Sequence, residues 1–284
     1  MKKVLYLLIL TLVSFTASCY NALAGKSDKT IKILAIGNSF SVDALDQHFY
    51  DLAHAEGIDV IVGNMYIGGC TLQKHLNNAL NDKPAYTYRK RGLDGKMVVT
   101  KEVSLAQALA DESWDYISFQ QQSGRSGLYD TWVESLPKLI EYVKPKLPKD
   151  VVMMIHQTWA YDQTSTHKNF INYNNDQKVM YNAIMAAVKK ISDYTGIKMV
   201  IPSGTAVQNA RQTILKDTIT RDGYHLHKVY GRYVAACTWF ETIFRKSVVG
   251  NPYKPEGMTD EQCLAAQKSA HLAVKQPYKP SRVK

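Results

Sequence analysis

Residues 32–45 have the sequence KILAIGNSFSVDAL, and the change of residue type within this stretch decides the fold. Its first half is a short apolar, β-branched run without polar alternation, which is typical of a strand buried on both faces of a parallel sheet. The run ends at Gly37-Asn38-Ser39, and a helical pattern follows. A strand that passes directly into a helix predicts a βα unit with Ser39 at the point where the chain turns.

Four more segments share this strand-like composition, and helical stretches separate them. They are 58–64, 115–120, 151–157 and 197–202. Alternation of strands and helices predicts right-handed crossovers, and therefore an α/β protein: a three-layer α/β/α sandwich with a mostly parallel five-stranded sheet. One helix is expected over 43–56.

Two segments depart from this alternation. Residues 85–104 contain two alternating runs around Asp94-Gly95, which is a strong turn signal, so we expect an inserted β-hairpin. The tail at 275–284 is rich in proline and lysine, and this composition predicts a disordered or loosely packed end.

The N-terminus has the pattern of an export signal. A short basic start precedes a ten-residue apolar run from Val4 to Val13, and the residues up to Ala24 fit a cleavage site. We therefore expect a signal peptide over 1–24 and a single domain over 25–284, exported to the periplasm or secreted. Cys19 in TASC leaves a lipid anchor open as an alternative. No later segment is apolar enough to suggest a transmembrane helix.

The charge of the chain argues against one class of partner. The 284 residues carry a formal charge of +10 at pH 7, but the basic residues are spread along the sequence. Dispersed charge favours a solvated surface over nucleic-acid binding.

Polar and titratable residues follow the carboxyl ends of the predicted strands, where open α/β sheets form their sites. These residues are Ser39 after the first strand, Gly69 after the second, Gln120 and Gln121 after the third, His156 after the fourth, and Asp222 and His225 in a later loop. A nucleophilic hydroxyl needs a base and a carboxylate that orients the base, so Ser39, His225 and Asp222 are the predicted triad. Taken alone, Ser39 is better explained as a helix cap, and the accompanying Asp222, His225 and Gly69 favour the nucleophile. His227 is a rival base, but the D-x-x-H spacing selects His225.

Three blocks, AIGNSFS (35–41), YIGGCTL (66–72) and DGYHLH (222–227), resemble the ordered blocks of the SGNH (GDSL-like) hydrolase superfamily. The resemblance is greatest to an exported subgroup of largely uncharacterised, carbohydrate-esterase-like proteins. It implies a flavodoxin-like SGNH fold, Ser39 as nucleophile, and Asp222 with His225 as the rest of the triad. It also implies Gly69 as an oxyanion-hole donor, and neither a metal nor a cofactor.

The chain departs from the family at the third block, where SFQQQSG (118–124) contains no asparagine. The side-chain donor of the oxyanion hole is therefore expected to be Gln120 or Gln121, and the sequence leaves open which one. Asn38 and Trp159 are the predicted substrate contacts. For Trp159, a wall that stacks on a sugar and a buried packing role are equally compatible with the sequence.

These features predict an exported serine esterase that removes O-acyl groups, with O-acetyl as the first candidate, from carbohydrate. The expected substrate is an acylated glycan or a small acyl ester. One alternative is a non-catalytic glycan-binding protein on the same fold, since the third-block asparagine is missing. Another is a lysophospholipase or thioesterase, which would require an apolar channel for the acyl chain.

Overall fold

The structure is a computed structural model that describes residues 29–284, with the side chain of Asp217 excepted. The predicted signal peptide over 1–24 and the alternative lipid anchor at Cys19 lie outside these residues. Among the helices between residues 29 and 284, none is long and apolar enough to cross a membrane.

A single mixed sheet forms the centre of the fold. Its strands are β1 (Ile31–Gly37), β2 (Val60–Tyr66), β3 (Tyr86–Arg91), β4 (Met97–Val103), β5 (Tyr116–Phe119), β6 (Val152–His156) and β7 (Met199–Ile201). They lie in the order β4-β3-β2-β1-β5-β6-β7. The pairs β2–β1, β1–β5, β5–β6 and β6–β7 are all parallel, which confirms the predicted α/β class and the five parallel strands.

The predicted hairpin forms, but the sheet is larger than expected because the hairpin is part of it. β3 pairs antiparallel with β2, and β4 pairs antiparallel with β3, so the sheet has seven strands. This pairing satisfies the backbone groups of β2, which an isolated surface hairpin would leave as an open edge. At the turn, Asp94 Oδ1 accepts a hydrogen bond from the Lys96 N–H, and Gly95 has a φ of +73°.

Helices flank this sheet. They are α1 (Ser39–Leu45), α2 (Phe49–His54), α3 (Leu72–Leu80), α4 (Leu105–Asp111), α5 (Asp130–Val133), α6 (Leu136–Val143), α7 (Gln177–Thr195), α8 (Ser203–Ala210), α9 (Tyr230–Phe244) and α10 (Asp260–Lys275). In β1 the four consecutive residues 33–36 are fully buried. Because successive strand residues point to opposite faces, this burial requires cover on both sides of the sheet.

Two local predictions were wrong. The single helix expected over 43–56 is two helices, with a turn at residues 46–48 between them. Side chains of this turn make tertiary bonds: Asp46 accepts from Asn64, and the His48 ring bonds the Lys228 carbonyl. The tail expected to be loose at 275–284 is docked on the body of the protein. The Pro277 carbonyl accepts hydrogen bonds from two buried side chains, which residue-by-residue composition does not reveal.

Candidate active site

Ser39 lies at the carboxyl end of β1, where the strand passes into α1. Asn38 is the helix cap, since its Oδ1 accepts a hydrogen bond of 3.0 Å from the Phe40 N–H. The Ser39 hydroxyl is therefore not used for capping. Gly37 is required by close packing, because a Cβ there would lie 2.4 Å from Ser41 Oγ. The sequence at this turn thus presents one hydroxyl at the edge of the sheet.

The three predicted triad residues come together in hydrogen-bonding succession. His225 Nε2 lies 2.9 Å from Ser39 Oγ, and His225 Nδ1 lies 2.7 Å from Asp222 Oδ2. Because an ionised carboxylate can only accept, Nδ1 carries the proton and Nε2 is left to accept from the hydroxyl. The rival His227 has another role, since its Nδ1 accepts from the Val229 N–H near the start of α9.

The electrostatics of Asp222 keep its carboxyl ionised. Partial burial raises the pKa of Asp222, but hydrogen bonds from the His225 ring and from the N–H groups of His225 and Tyr224 lower it, and the net pKa lies below the usual range. The side chains remain accessible, with 18% of His225 and 38% of Asp222 exposed. A carboxylate in this position fixes the imidazole tautomer and stabilises the imidazolium that forms on proton transfer.

A buried carboxylate that sequence reasoning missed connects the histidine loop to the serine helix. Asp43, in α1, accepts from the Leu226 N–H at 2.8 Å and from Arg232 Nη2 at 2.6 Å. Arg221 Nη1 also lies 3.3 Å from Asp43. Breaking a buried ion pair of this kind typically costs about 3–5 kcal/mol. In the sequence, the feature that could have indicated Asp43 is an acidic residue on a predicted apolar helix, four positions after Ser39.

A second anchor holds the same loop from the β6 side. The Asp162 N–H donates to the Gly223 carbonyl at 2.8 Å, and the Asp162 carboxylate accepts from the Thr220 hydroxyl. Arg211 Nη2 donates to that carboxylate at 2.6 Å. The loop that carries Asp222 and His225 is thus held by α1 on one side and by Asp162 on the other, in addition to its own short-range bonds.

Two backbone donors are available beside the serine. Gly69 lies in an exposed turn after β2 with a φ of +60°, and the adjacent Cys70 carbonyl accepts from Asn38 Nδ2 at 3.0 Å. This bond joins the glycine turn to the Ser39 turn. Within residues 29–284, neither the Ser39 N–H nor the Gly69 N–H donates to a protein acceptor. Burial raises the pKa of the Cys70 thiol to about 12, so Cys70 stays protonated and is no rival nucleophile.

The two glutamines predicted as oxyanion donors are buried and committed to protein partners. Gln120 Nε2 donates to Asn38 Oδ1 at 2.7 Å, and Gln121 Nε2 donates to the carbonyl and hydroxyl oxygens of Thr131. In contrast, Gln122 is only partly buried, and within residues 29–284 its buried side-chain oxygen Oε1 has no hydrogen-bond partner. The sequence shows three identical side chains in a row, and only their packing distinguishes them.

Neither predicted substrate contact is accessible. Trp159 is fully buried, stacks on Phe40 with ring centroids 4.3 Å apart, and donates its indole N–H to the Tyr224 carbonyl at 2.7 Å. Asn38 is buried as well, with both its amide atoms bonded to protein. The assignment of Trp159 and Asn38 to substrate binding is therefore corrected. Trp159 packs against Phe40 next to the Ser39 turn, and Asn38 caps the helix that begins at this turn.

Some solved enzymes show a distant likeness to this chain. Axe2, an acetylxylan esterase from Geobacillus stearothermophilus, is 13% identical with a TM-score of 0.47, over 80% of this chain and 97% of that chain. LAE5, described as an alpha/beta hydrolase from the metagenome of Lake Arreo, Spain, is 11% identical with a TM-score of 0.46, over 75% and 94% of the two chains. Likeness at this level carries no inference about activity, and no curated protein matches the chain.

Another solved structure is similar to this chain at much higher sequence identity. A solved DUF4886 family protein from Bacteroides uniformis ATCC 8492 is 50% identical, with a TM-score of 0.89 over 90% of this chain and 98% of that chain. The family model for the domain of unknown function DUF4886 matches residues 32–273. The chain therefore belongs to the DUF4886 family.

Proposed function

We propose that this protein is a serine esterase that works through an acyl-enzyme on Ser39. The observation that carries the proposal is the continuous hydrogen-bonded series from Ser39 Oγ through His225 to Asp222, at 2.9 and 2.7 Å. Residues that are distant in sequence come together here, and the His225 imidazole has the tautomer that proton transfer requires. A helix cap does not explain this arrangement, because Asn38 already performs the capping.

The geometry supports a two-step reaction. His225 Nε2 takes the hydroxyl proton as Ser39 Oγ attacks the carbonyl carbon of the ester, and the carbonyl π electrons move to the oxygen. Collapse of this intermediate breaks the ester C–O bond, and the Nε2 proton passes to the leaving alkoxide. Water then attacks the acyl-serine with His225 as the base, which releases the carboxylic acid and restores the hydroxyl.

The developing oxyanion requires donors that the ground state does not use. The uncommitted N–H groups of Ser39 and Gly69 can supply two. We assign the third to the side-chain amide of Gln122, because the amides of Gln120 and Gln121 are already bonded to protein. Under this assignment, Gln122 would take the place of the missing asparagine of the third block, on which the non-catalytic alternative rests.

We further propose that the substrate is a carbohydrate carrying short acyl groups, with O-acetyl first. Support comes from two partly exposed tyrosines, one beside the triad and one beside the glycine turn. The Tyr224 ring lies 4.2 Å from the His225 ring, and the Tyr66 hydroxyl would lie 3.4 Å from a Cβ on Gly68, next to the Gly69 turn. Aromatic rings of this kind can pack on the apolar face of a sugar, the role first expected of Trp159.

The cellular location belongs to the same proposal. The basic start, the apolar run and the residues up to Ala24 support export, with either a cleaved signal peptide or a lipid anchor on Cys19. Export would give the enzyme access to acylated glycans outside the cytoplasm.

A fluorophosphonate probe tests the catalytic part directly. We expect covalent labelling at Ser39, located by mass spectrometry of the tryptic peptides, and none in Ser39→Ala. Failure of the folded wild-type protein to react would favour the non-catalytic alternative. Substrate class is tested by comparing acetate release from acetylated xylo-oligosaccharides with hydrolysis of p-nitrophenyl esters of increasing chain length. Preference for long acyl chains would instead support a lipase or thioesterase.

A further inference from the structure

A second histidine lies in a buried hydrogen-bond chain behind the serine turn. His156 Nδ1 lies 2.8 Å from Gln120 Oε1, and His156 Nε2 lies 3.1 Å from Ser203 Oγ. On the other side, Gln120 Nε2 lies 2.7 Å from Asn38 Oδ1. All four side chains are at most 1% exposed. The chain runs from the N-terminus of α8 across the ends of β6 and β5 to the cap of α1.

Backbone groups fix the direction of every bond in this chain. A carbonyl can only accept and an N–H can only donate, so the Cys70 carbonyl and the Phe40 N–H together set which amide atom of Asn38 is nitrogen and which is oxygen. Asn38 Oδ1 must then accept from Gln120 Nε2, which turns Gln120 Oε1 toward His156. Oε1 needs a donor, so Nδ1 carries the proton of the imidazole. Nε2 is then an acceptor for the Ser203 hydroxyl.

We propose that Gln120, His156 and Ser203 form a positioning relay that holds Asn38 in a single orientation and thereby sets the geometry of the oxyanion donors. The proposal rests on the esterase function proposed above. Asn38, which the relay holds, contacts both turns: it caps α1 beside the Ser39 N–H and donates to the Cys70 carbonyl beside the Gly69 N–H.

The surroundings of His156 suit a fixed tautomer. The ring is fully buried between Trp159 and Trp239, with centroids 6.1 and 5.1 Å away. Burial lowers the pKa of His156 to about 3, so the imidazole stays neutral wherever the protein is folded at moderate pH. A neutral ring with one donor and one acceptor is what the Gln120 oxygen and the Ser203 hydroxyl require.

The tautomer can be measured without any assay of activity. In ¹⁵N-labelled wild-type protein, long-range ¹H–¹⁵N spectra should show His156 with a protonated Nδ1 and an unprotonated Nε2, with the signal assigned by its loss in His156→Gln. The pattern should persist from about pH 8 to about pH 5, because a neutral buried imidazole does not titrate there. An Nε2–H tautomer, or titration within this range, would overturn the relay.

Steady-state kinetics test whether the relay affects the catalytic site. Gln120→Met keeps the size of the side chain and removes both bonds, and Gln267→Met is a matched control, because Gln267 is equally a buried, multiply bonded glutamine but lies in α10. With an acetyl ester, Gln120→Met should lower kcat by roughly tenfold or more with little change in KM, since donor geometry acts in the transition state. Gln267→Met should lower the Tm while leaving kcat near the wild-type value.

The outcomes separate this proposal from the function on which it rests. Equal kcat values for Gln120→Met and Gln267→Met, in protein that is folded by circular dichroism, would reject a positioning role for Gln120. If the wild-type protein hydrolyses no ester and resists fluorophosphonate, the proposed function fails instead. The NMR measurement then still decides whether the hydrogen-bond chain has the direction inferred here.

Discussion

The protein contains two serine–histidine pairs built on the same plan. Ser39 and Ser203 each begin a helix directly after a parallel strand, and each lies within 3.1 Å of the Nε2 atom of a histidine. In each pair Nδ1 donates to a side-chain oxygen, from Asp222 in one case and from Gln120 in the other. The hydrogen-bond patterns are the same, but we assign catalysis to only one of them.

Two physical differences separate the pairs. Asp222 provides a negative charge that stabilises an imidazolium, whereas the neutral amide of Gln120 does not. Ser39 is partly exposed, whereas Ser203 is fully buried and no ester can reach it. The difference teaches that a Ser–His contact becomes a nucleophile–base pair only when charge stabilisation and substrate access accompany it.

The largest expected effect is the loss of activity in Ser39→Ala, measured beside the matched variant Ser203→Ala. Ser39→Ala should lower kcat on p-nitrophenyl acetate by roughly 10⁴- to 10⁶-fold, because the nucleophile is lost. Ser203→Ala removes one bond of the relay and should cost about tenfold or less. Comparable losses in the two variants, or a larger loss for Ser203→Ala, would contradict the assignment of roles.

Asp222→Asn makes the acceptor of the active pair an amide, as in the buried pair. We expect kcat to fall by roughly 10⁴-fold while the fold is retained, because an amide does not stabilise the imidazolium and permits the wrong tautomer. Steady-state kinetics beside circular dichroism will measure this, with the exposed Asp130→Asn as control. A loss smaller than about tenfold would remove Asp222 from the triad.

We propose an oxyanion hole only for the exposed pair, because Ser203 is fully buried and no ester can reach it. Gln122→Ala should lower kcat by roughly 10²- to 10³-fold with a small change in KM. The exposed Gln276→Ala serves as the control. A kcat equal to that of the control would show that Gln122 is not an oxyanion donor and would leave only the backbone N–H groups in that role.

The smallest effect concerns stability and reports on the buried pair. Burial lowers the pKa of His156 from 6.5 to about 3, so between these values the unfolded chain binds a proton that the folded protein excludes. The free energy of unfolding should therefore fall as the pH falls through this window, by up to about 1.4 kcal/mol per pH unit for this group. Urea unfolding at several pH values will give the free energy of unfolding as a function of pH. This free energy should fall less steeply with falling pH in His156→Gln than in the wild-type protein. Equal dependence on pH in the two proteins would contradict the burial of a neutral ring.

Much of the fold and the triad could be predicted from short stretches of sequence. The parallel strands are apolar throughout because both faces are covered, and the D-x-x-H spacing allows the Asp222 carboxylate to accept from the backbone and the ring of His225. Such signals depend on residues close together in the sequence, so they can be recognised without knowing how the rest of the chain folds. Asp43 was missed for the opposite reason, because its partners Leu226 and Arg232 lie far away in sequence.

The sequence by itself determined the order of strands and helices, the turn that presents Ser39, and the residue types from which a triad can be built. Only the tertiary structure decided which of three adjacent glutamines is partly exposed, that Trp159 is buried behind Phe40, and that the hairpin extends the sheet. The physical reason is that exposure and hydrogen-bond commitment are properties of neighbours in space. The same residue type is a catalytic, positioning or packing group according to what the fold places against it.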